Sequence, residues 1–170
     1  MRRRKRVVAL GAALLGAAAL VFSSYPASQA ENLELVKKVV VPANAGWVDT
    51  GLDVGQGEEF TIRGNGEITL QKGNPSATCG PAGLDLMTGQ QPVPNQNLGA
   101  LIGKVAQLIS VRRDEDTGEE IRDEIAAYFF IGAESRVTTP IKGRLYLGVN
   151  EDVIKDNGGE FTALIYRRRG

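Results

Sequence analysis

The chain has 170 residues, with 20 basic and 20 acidic side chains, a single cysteine and no histidine. Without histidine there is no Ser-His-Asp or Cys-His hydrolase centre and no common type of zinc site, and one cysteine cannot form an internal disulfide. No GxGxxG or GxxxxGK motif opens a helix, so nucleotide binding has no support.

The chain begins with a leader pattern. MRRRKR is basic, Val7 to Phe22 is an apolar run of 16 residues, and SSYPASQA follows with small residues at Ser28 and Ala30. This order reads as a secretory signal peptide over residues 1–30, cleaved after Ala30. The run is short of the roughly 20 residues that span a bilayer. The expectation is an exported protein, periplasmic or extracellular, with no membrane span after cleavage. Residues 31–170 are then one domain of 140 residues, long enough for a single core. They carry 15 basic against 20 acidic residues, a net charge of about −5. That balance is unsuited to displacing counterions from nucleic acid, so no nucleic-acid partner is expected. Homo-oligomerisation is allowed by the sequence.

Beyond the leader the pattern is β. Val39 to Val41 ends at Pro42, and Trp47 to Leu52 follows, with Trp47 expected in core packing. Glu59–Arg63 and Glu67–Leu70 alternate with period two around Gly64-Asn65-Gly66, which reads as a hairpin turn. Lys72 to Leu98 is rich in Gly, Pro, Asn and Gln and reads as a long functional loop. Cys79 within it is expected to be a small buried apolar side chain, with intermolecular pairing as the alternative. Arg112 to Glu124, RRDEDTGEEIRDE, holds seven acidic residues. It reads as a charged hairpin with its tip at Asp116-Thr117-Gly118, against a short helix over Glu119–Ala127, and as a solvated charge run in preference to a cation site. Arg144 to Val149 places Leu145, Leu147 and Val149 on one face and Tyr146 on the other, and Phe161, Ala163 and Ile165 repeat the pattern in the last strand. Many short strands with glycine-rich turns predict an all-β fold, a jelly-roll-like antiparallel β-sandwich.

The last two strands are joined by a segment dense in side-chain oxygen. Asn150, Glu151, Asp152, Asp156 and Asn157 lie within eight residues. Calcium takes six to eight oxygens from carboxylates, amides and backbone carbonyls, so the segment is a candidate metal loop. Asn, Asp and Gly are equally what a turn requires. On the local pattern alone the segment reads as a plain turn in preference to a metal site. Paired carboxylates could also support glycoside hydrolysis, but nothing in the pattern selects a pair.

The order VPANAGWVDTGLDVGQGEEFTIRGNGEI, GPAG, NLGALIGKV and GRLYLGVNEDVIKDNGGEF resembles the PA-IL-like family of bacterial lectins, from Val39 to about Ile165. The resemblance implies a small β-sandwich that binds galactose through a bound calcium ion, two sugar hydroxyls completing the coordination. Carried over by position, Glu151, Asp152, Asp156 and Asn157 become calcium ligands, with a backbone carbonyl near Leu70 as a further one. Asn150, at the opening of the matched loop, becomes a ligand contact. Tyr146 is a ligand contact on separate grounds, as an aromatic that leads towards the loop and could stack on a sugar face. The chain departs from the galactose-binding type in a loop about two residues shorter, in Glu151 where the family has Asp, and in having no counterpart of the family's sugar-contacting His and Gln among Leu84 to Asn97. The implied function is an exported, non-enzymatic, carbohydrate-binding protein with calcium as its cofactor. An exported scaffold or protein-interaction domain is the alternative.

Overall fold

A computed structural model of the chain describes residues 32–169; the expected signal peptide lies outside them. The strands are β1 (Leu33–Pro42), β2 (Val48–Val54), β3 (Glu59–Thr69), β4 (Thr78–Cys79), β5 (Leu101–Arg113), β6 (Glu120–Phe130), β7 (Glu134–Thr138), β8 (Gly143–Val149) and β9 (Gly158–Arg168), with one 3-10 turn at Pro75–Ala77. They form two antiparallel sheets. The first has the order β1-β9-β3-β4 with β7 also on β3, and the second has the order β2-β8-β5-β6. The all-β sandwich read from the alternation is the observed fold.

The core lies between the sheets and follows the period-two pattern. Phe161, Ala163 and Ile165 of β9 are fully enclosed, and they meet Leu101 and Val105 of β5 and Leu145, Leu147 and Val149 of β8 within one cluster. Each large apolar side chain buried in this way contributes about 1.5–3 kcal/mol relative to exposure. The seven-residue strand β8 sits between β2 and β5 in its sheet, and β9 sits between β1 and β3 in the other. Both strands that flank the 150–157 loop are therefore central, and the loop crosses from one sheet to the other.

One expected turn is absent. Glu59 to Thr69 is a single continuous strand, so Gly64-Asn65-Gly66 is not a hairpin. The glycines serve close packing. A Cβ at Gly64 would lie 2.7 Å from Leu101 Cδ2, and one at Gly66, where φ is +105°, would lie 2.6 Å from the Glu160 carbonyl oxygen. Glycine inside a strand often marks such an approach.

The acidic segment, in contrast, does form a hairpin. β5 and β6 pair from Ile102↔Phe130 to Arg113↔Glu120, with a bulge between Leu108 and Ser110. Asp114 Oδ1 accepts from the Asp116 and Thr117 amides, which ties the tip and lowers the Asp114 carboxyl below its ordinary value.

Cys79 is buried, as its residue type predicts. Burial, followed by the charges of Glu151 and Glu67, pushes its thiol up to about 11. Only about one thiol in a thousand would then be ionised at pH 8. The native protein should react with a disulfide exchange reagent far more slowly than the urea-unfolded chain; equal rates would show that the thiol is open to solvent.

Candidate functional site

The 150–157 loop starts where β8 leaves its sheet. Asn150 turns fully inward. Its Oδ1 accepts from the Val93 amide at 2.9 Å, and its Nδ2 donates to the carbonyls of Val93 and Asn97 at 3.1 Å each. The main chain of the same residue bonds to Ala100 and Gly99. Asn150 is thus committed to pinning the 84–98 loop against the end of β8. The ligand contact expected of it does not fit this placement, since the amide is enclosed and both its ends are occupied.

Asn157, at the far end of the loop, is also fully buried. Its Nδ2 donates to the Ala43 carbonyl at 3.1 Å and to Glu151 Oε2 at 2.7 Å. Its Oδ1 is enclosed without a hydrogen-bond donor, and a buried carbonyl without a donor is costly. The Glu151 carboxyl is raised above its ordinary value, chiefly by burial and further by the charges of Asp156 and Asp152, against the lowering effect of Asn157. The Lys72 amide donates to the Asp156 carbonyl at 3.0 Å. This bond brings the loop beside the segment after β3, where the resemblance places a backbone ligand near Leu70.

These features test the expected metal set. An acceptor oxygen with no donor beside a destabilised carboxylate is a donor chemistry that a hard cation relieves. Glu151 and Asn157 are in contact, whereas the Asp152 and Asp156 side chains are exposed. Among the described residues no three acidic, Cys or His side chains gather at metal-ligating separations. The two neighbouring acids act on Glu151 through space without converging on a common point. Of the four expected ligands only Glu151 and Asn157 meet, through the Asn157 amide N–H, and the undonated Asn157 Oδ1 beside them is the one oxygen left for a cation to satisfy.

A cleft of about 170 Å³ opens next to Glu151, lined by Trp47, Pro92, Gly148, Asp152 and Ile154 among others. Trp47 is not in the core as expected. It is half-buried on the outer face of the second sheet, where a Cβ at Gly148 would lie 3.1 Å from its ring. The absent side chain lets the indole lie against β8. Its ring centroid is 5.6 Å from that of Tyr128, and Lys104 Nζ lies 5.1 Å from its centroid. Lys104, nearly buried, also lies over Tyr146 at 5.2 Å and pairs with Glu124 at 2.7 Å.

Tyr146 does not lead towards the loop. It sits across from Asp49 of β2 and Lys104 of β5, and it lines a different cleft on the sheet's outer face. Sequence reasoning missed Pro92 and Lys104. Lys104 left a trace, a charged residue within the apolar run LIGKVA; Pro92 left none, because only the folded loop brings it to Trp47.

The raised Glu151 carboxyl has a consequence for stability. Its folded value exceeds the unfolded one, so the folded state binds more protons and stability falls as pH rises through the ordinary Glu range. Glu151→Gln should raise the urea midpoint at pH 7 and leave it little changed near pH 3.5. A lower midpoint at pH 7 would contradict this account.

No family model and no curated relative matches the sequence. Among the described residues no helix is long and apolar enough to cross a membrane. Among solved structures, the chain is similar to the N-terminal domain of EclA, described as a PllA-like lectin, with a TM-score of 0.54 at 23% identity over 79% of this chain and 98% of that one. The likeness establishes the fold, a β-sandwich shared with that lectin domain.

Proposed function

We propose that the chain is an exported, non-enzymatic carbohydrate-binding protein of the PA-IL-like type, and that the cleft between Trp47 and Glu151 receives the sugar. The observation that carries this reading is the make-up of the cleft. Trp47 and Pro92 offer apolar surface for the C–H face of a sugar ring, and Glu151 and Asp152 offer acceptors for its hydroxyls. Similarity in fold to a domain described as a lectin supports it. Calcium is the proposed cofactor, held by Glu151 and Asn157, with Asp152 and Asp156 the acids next in reach. When bound it would offer sugar hydroxyls a coordination site and would satisfy the Asn157 carbonyl.

The test is a calcium titration of the protein beside an Asp156→Ala/Asn157→Ala variant, followed by a glycan array with calcium and with chelator. Saturable calcium binding lost in the variant, and calcium-dependent glycan binding lost in Trp47→Ala, are expected. Glycan binding unchanged by chelator would remove calcium from the proposal and leave the cleft. No glycan binding in either condition would favour a scaffold or interaction domain.

A further inference from the structure

The second sheet has a stepped outline. β8 pairs with β5 only from Leu101↔Val149 to Ala106↔Arg144, while β5 and β6 run on together as a two-stranded ribbon to Arg113 and Glu120. The step leaves an open cleft of about 440 Å³ on the outer face, larger than the one beside Glu151. Its lining includes Asp53, Arg122, Glu124, Lys142, Arg144 and Tyr146.

The charges in this cleft are unequally committed. Glu124 is taken by Lys104 at 2.7 Å, and Asp53 by Arg144 Nη1 at 3.3 Å. Arg144 also bonds Asp49 through Nε at 2.7 Å. Arg122 bonds Glu120 through Nε at 2.6 Å, which leaves its terminal nitrogens as donors. Lys142 lines the cleft as well, and none of the ion pairs or hydrogen bonds above involves it. The lining therefore holds three basic side chains, Arg122, Lys142 and Arg144, against two acidic ones, Asp53 and Glu124; Arg144 is shared between Asp53 and Asp49, so the donors left over are Lys142 and the terminal nitrogens of Arg122. This stands out in a domain whose residues 31–170 carry 15 basic against 20 acidic side chains. Tyr146 and the apolar Val54, Ala106 and Leu108 add surface that a bare inorganic anion would not use.

We propose that this cleft binds an acidic saccharide, a sugar ring bearing a carboxylate, with the carboxylate on Lys142 and Arg122 and the ring against Tyr146. A carboxylate on guanidinium and ammonium donors makes charge-assisted hydrogen bonds, about twice as strong as neutral ones, and an aromatic face suits a sugar's C–H surface. The proposal rests on the carbohydrate-binding reading but places a second subsite apart from the cleft at Glu151.

The experiment titrates the full chain with methyl galacturonoside, methyl galactoside and sodium sulfate by NMR, in the wild type, Lys142→Glu and Trp47→Ala. The expected result is galacturonoside binding that shifts Tyr146 resonances, weakens at least about tenfold in Lys142→Glu, weakens with added salt, and persists in Trp47→Ala. Sulfate binding as well as the uronoside would make this a general anion cleft and overturn the proposal. Galacturonoside binding that survives Lys142→Glu but not Trp47→Ala would overturn it while upholding the Glu151 cleft. Galactoside binding alone would do the same. Galacturonoside binding that needs Lys142, in a protein that binds no neutral glycan, would uphold this subsite and overturn only the reading of the other cleft.

Discussion

Asn150→Ala should lower the stability of the folded chain by about 3 kcal/mol, since it leaves the Val93 amide and the Val93 and Asn97 carbonyls without their partner. An unsatisfied buried group costs about 1–3 kcal/mol. The total stays below the sum of three because Val93 and Asn97 are themselves only half-buried and partly rehydrate. For a domain of this size the change corresponds to a fall in Tm of about 10 °C. Hydrogen exchange distinguishes this from general weakening, because the Val93 amide should lose protection well before the amides of β9. A variant with wild-type Tm and a protected Val93 amide would show that the loop is held by other means. Asn150→Asp should be no rescue. It keeps an acceptor for Val93, but it loses both donors and brings a charge into an enclosed site.

Asn157→Ala, at the other end of the same loop, should cost about 2 kcal/mol and abolish any calcium response. Its Nδ2 holds the Ala43 carbonyl and the Glu151 carboxylate, so its removal strips one donor from each. The cost is kept down because the wild type already carries the undonated Oδ1, and truncation removes that burden along with the bonds. Calcium-dependent stabilisation provides the functional readout, since a ligand that binds only the folded state raises Tm by mass action. The wild type should gain stability in millimolar calcium and Asn157→Ala should not. Asp156→Ala, at an exposed side chain, should leave the apo Tm near that of the wild type, so a loss of calcium response there cannot be ascribed to unfolding. A full calcium response in both variants would exclude the loop as the metal site.

Much of the fold was legible because burial in a strand has a period of two. The alternation of Leu145, Leu147 and Val149, and of Phe161, Ala163 and Ile165, is local information, and those six side chains are core residues of the sandwich. The hairpin at Asp116-Thr117-Gly118 was legible for a similar reason, as its turn is closed by Asp114 two and three residues away. Gly64-Asn65-Gly66 misled because glycine has two uses, turning a chain and admitting a neighbour. Only the positions of Leu101 and Glu160 show which one applies.

The candidate site was less legible. The oxygen-rich segment Asn150 to Asn157 is visible as composition, but the division of labour within it is not. Asn150 faces the 84–98 loop and Asn157 faces Glu151 because of where β8 ends and how β1 and the long loop pass nearby, and no periodicity records that. Trp47 reads as a core residue until Gly148 is found beneath its ring on the outer face of the sheet. Tyr146 could be assigned to the face opposite Leu145 and Leu147, but which cleft lay there depended on how far β5 and β6 outrun β8. Which side chains alternate, and where oxygen-bearing residues are dense, can be read along the chain because both are properties of sequence neighbours. The tertiary structure decided which of those residues meet, because Trp47 with Pro92 and Glu151, and Lys142 with Arg122 and Tyr146, are brought together only by packing between distant segments.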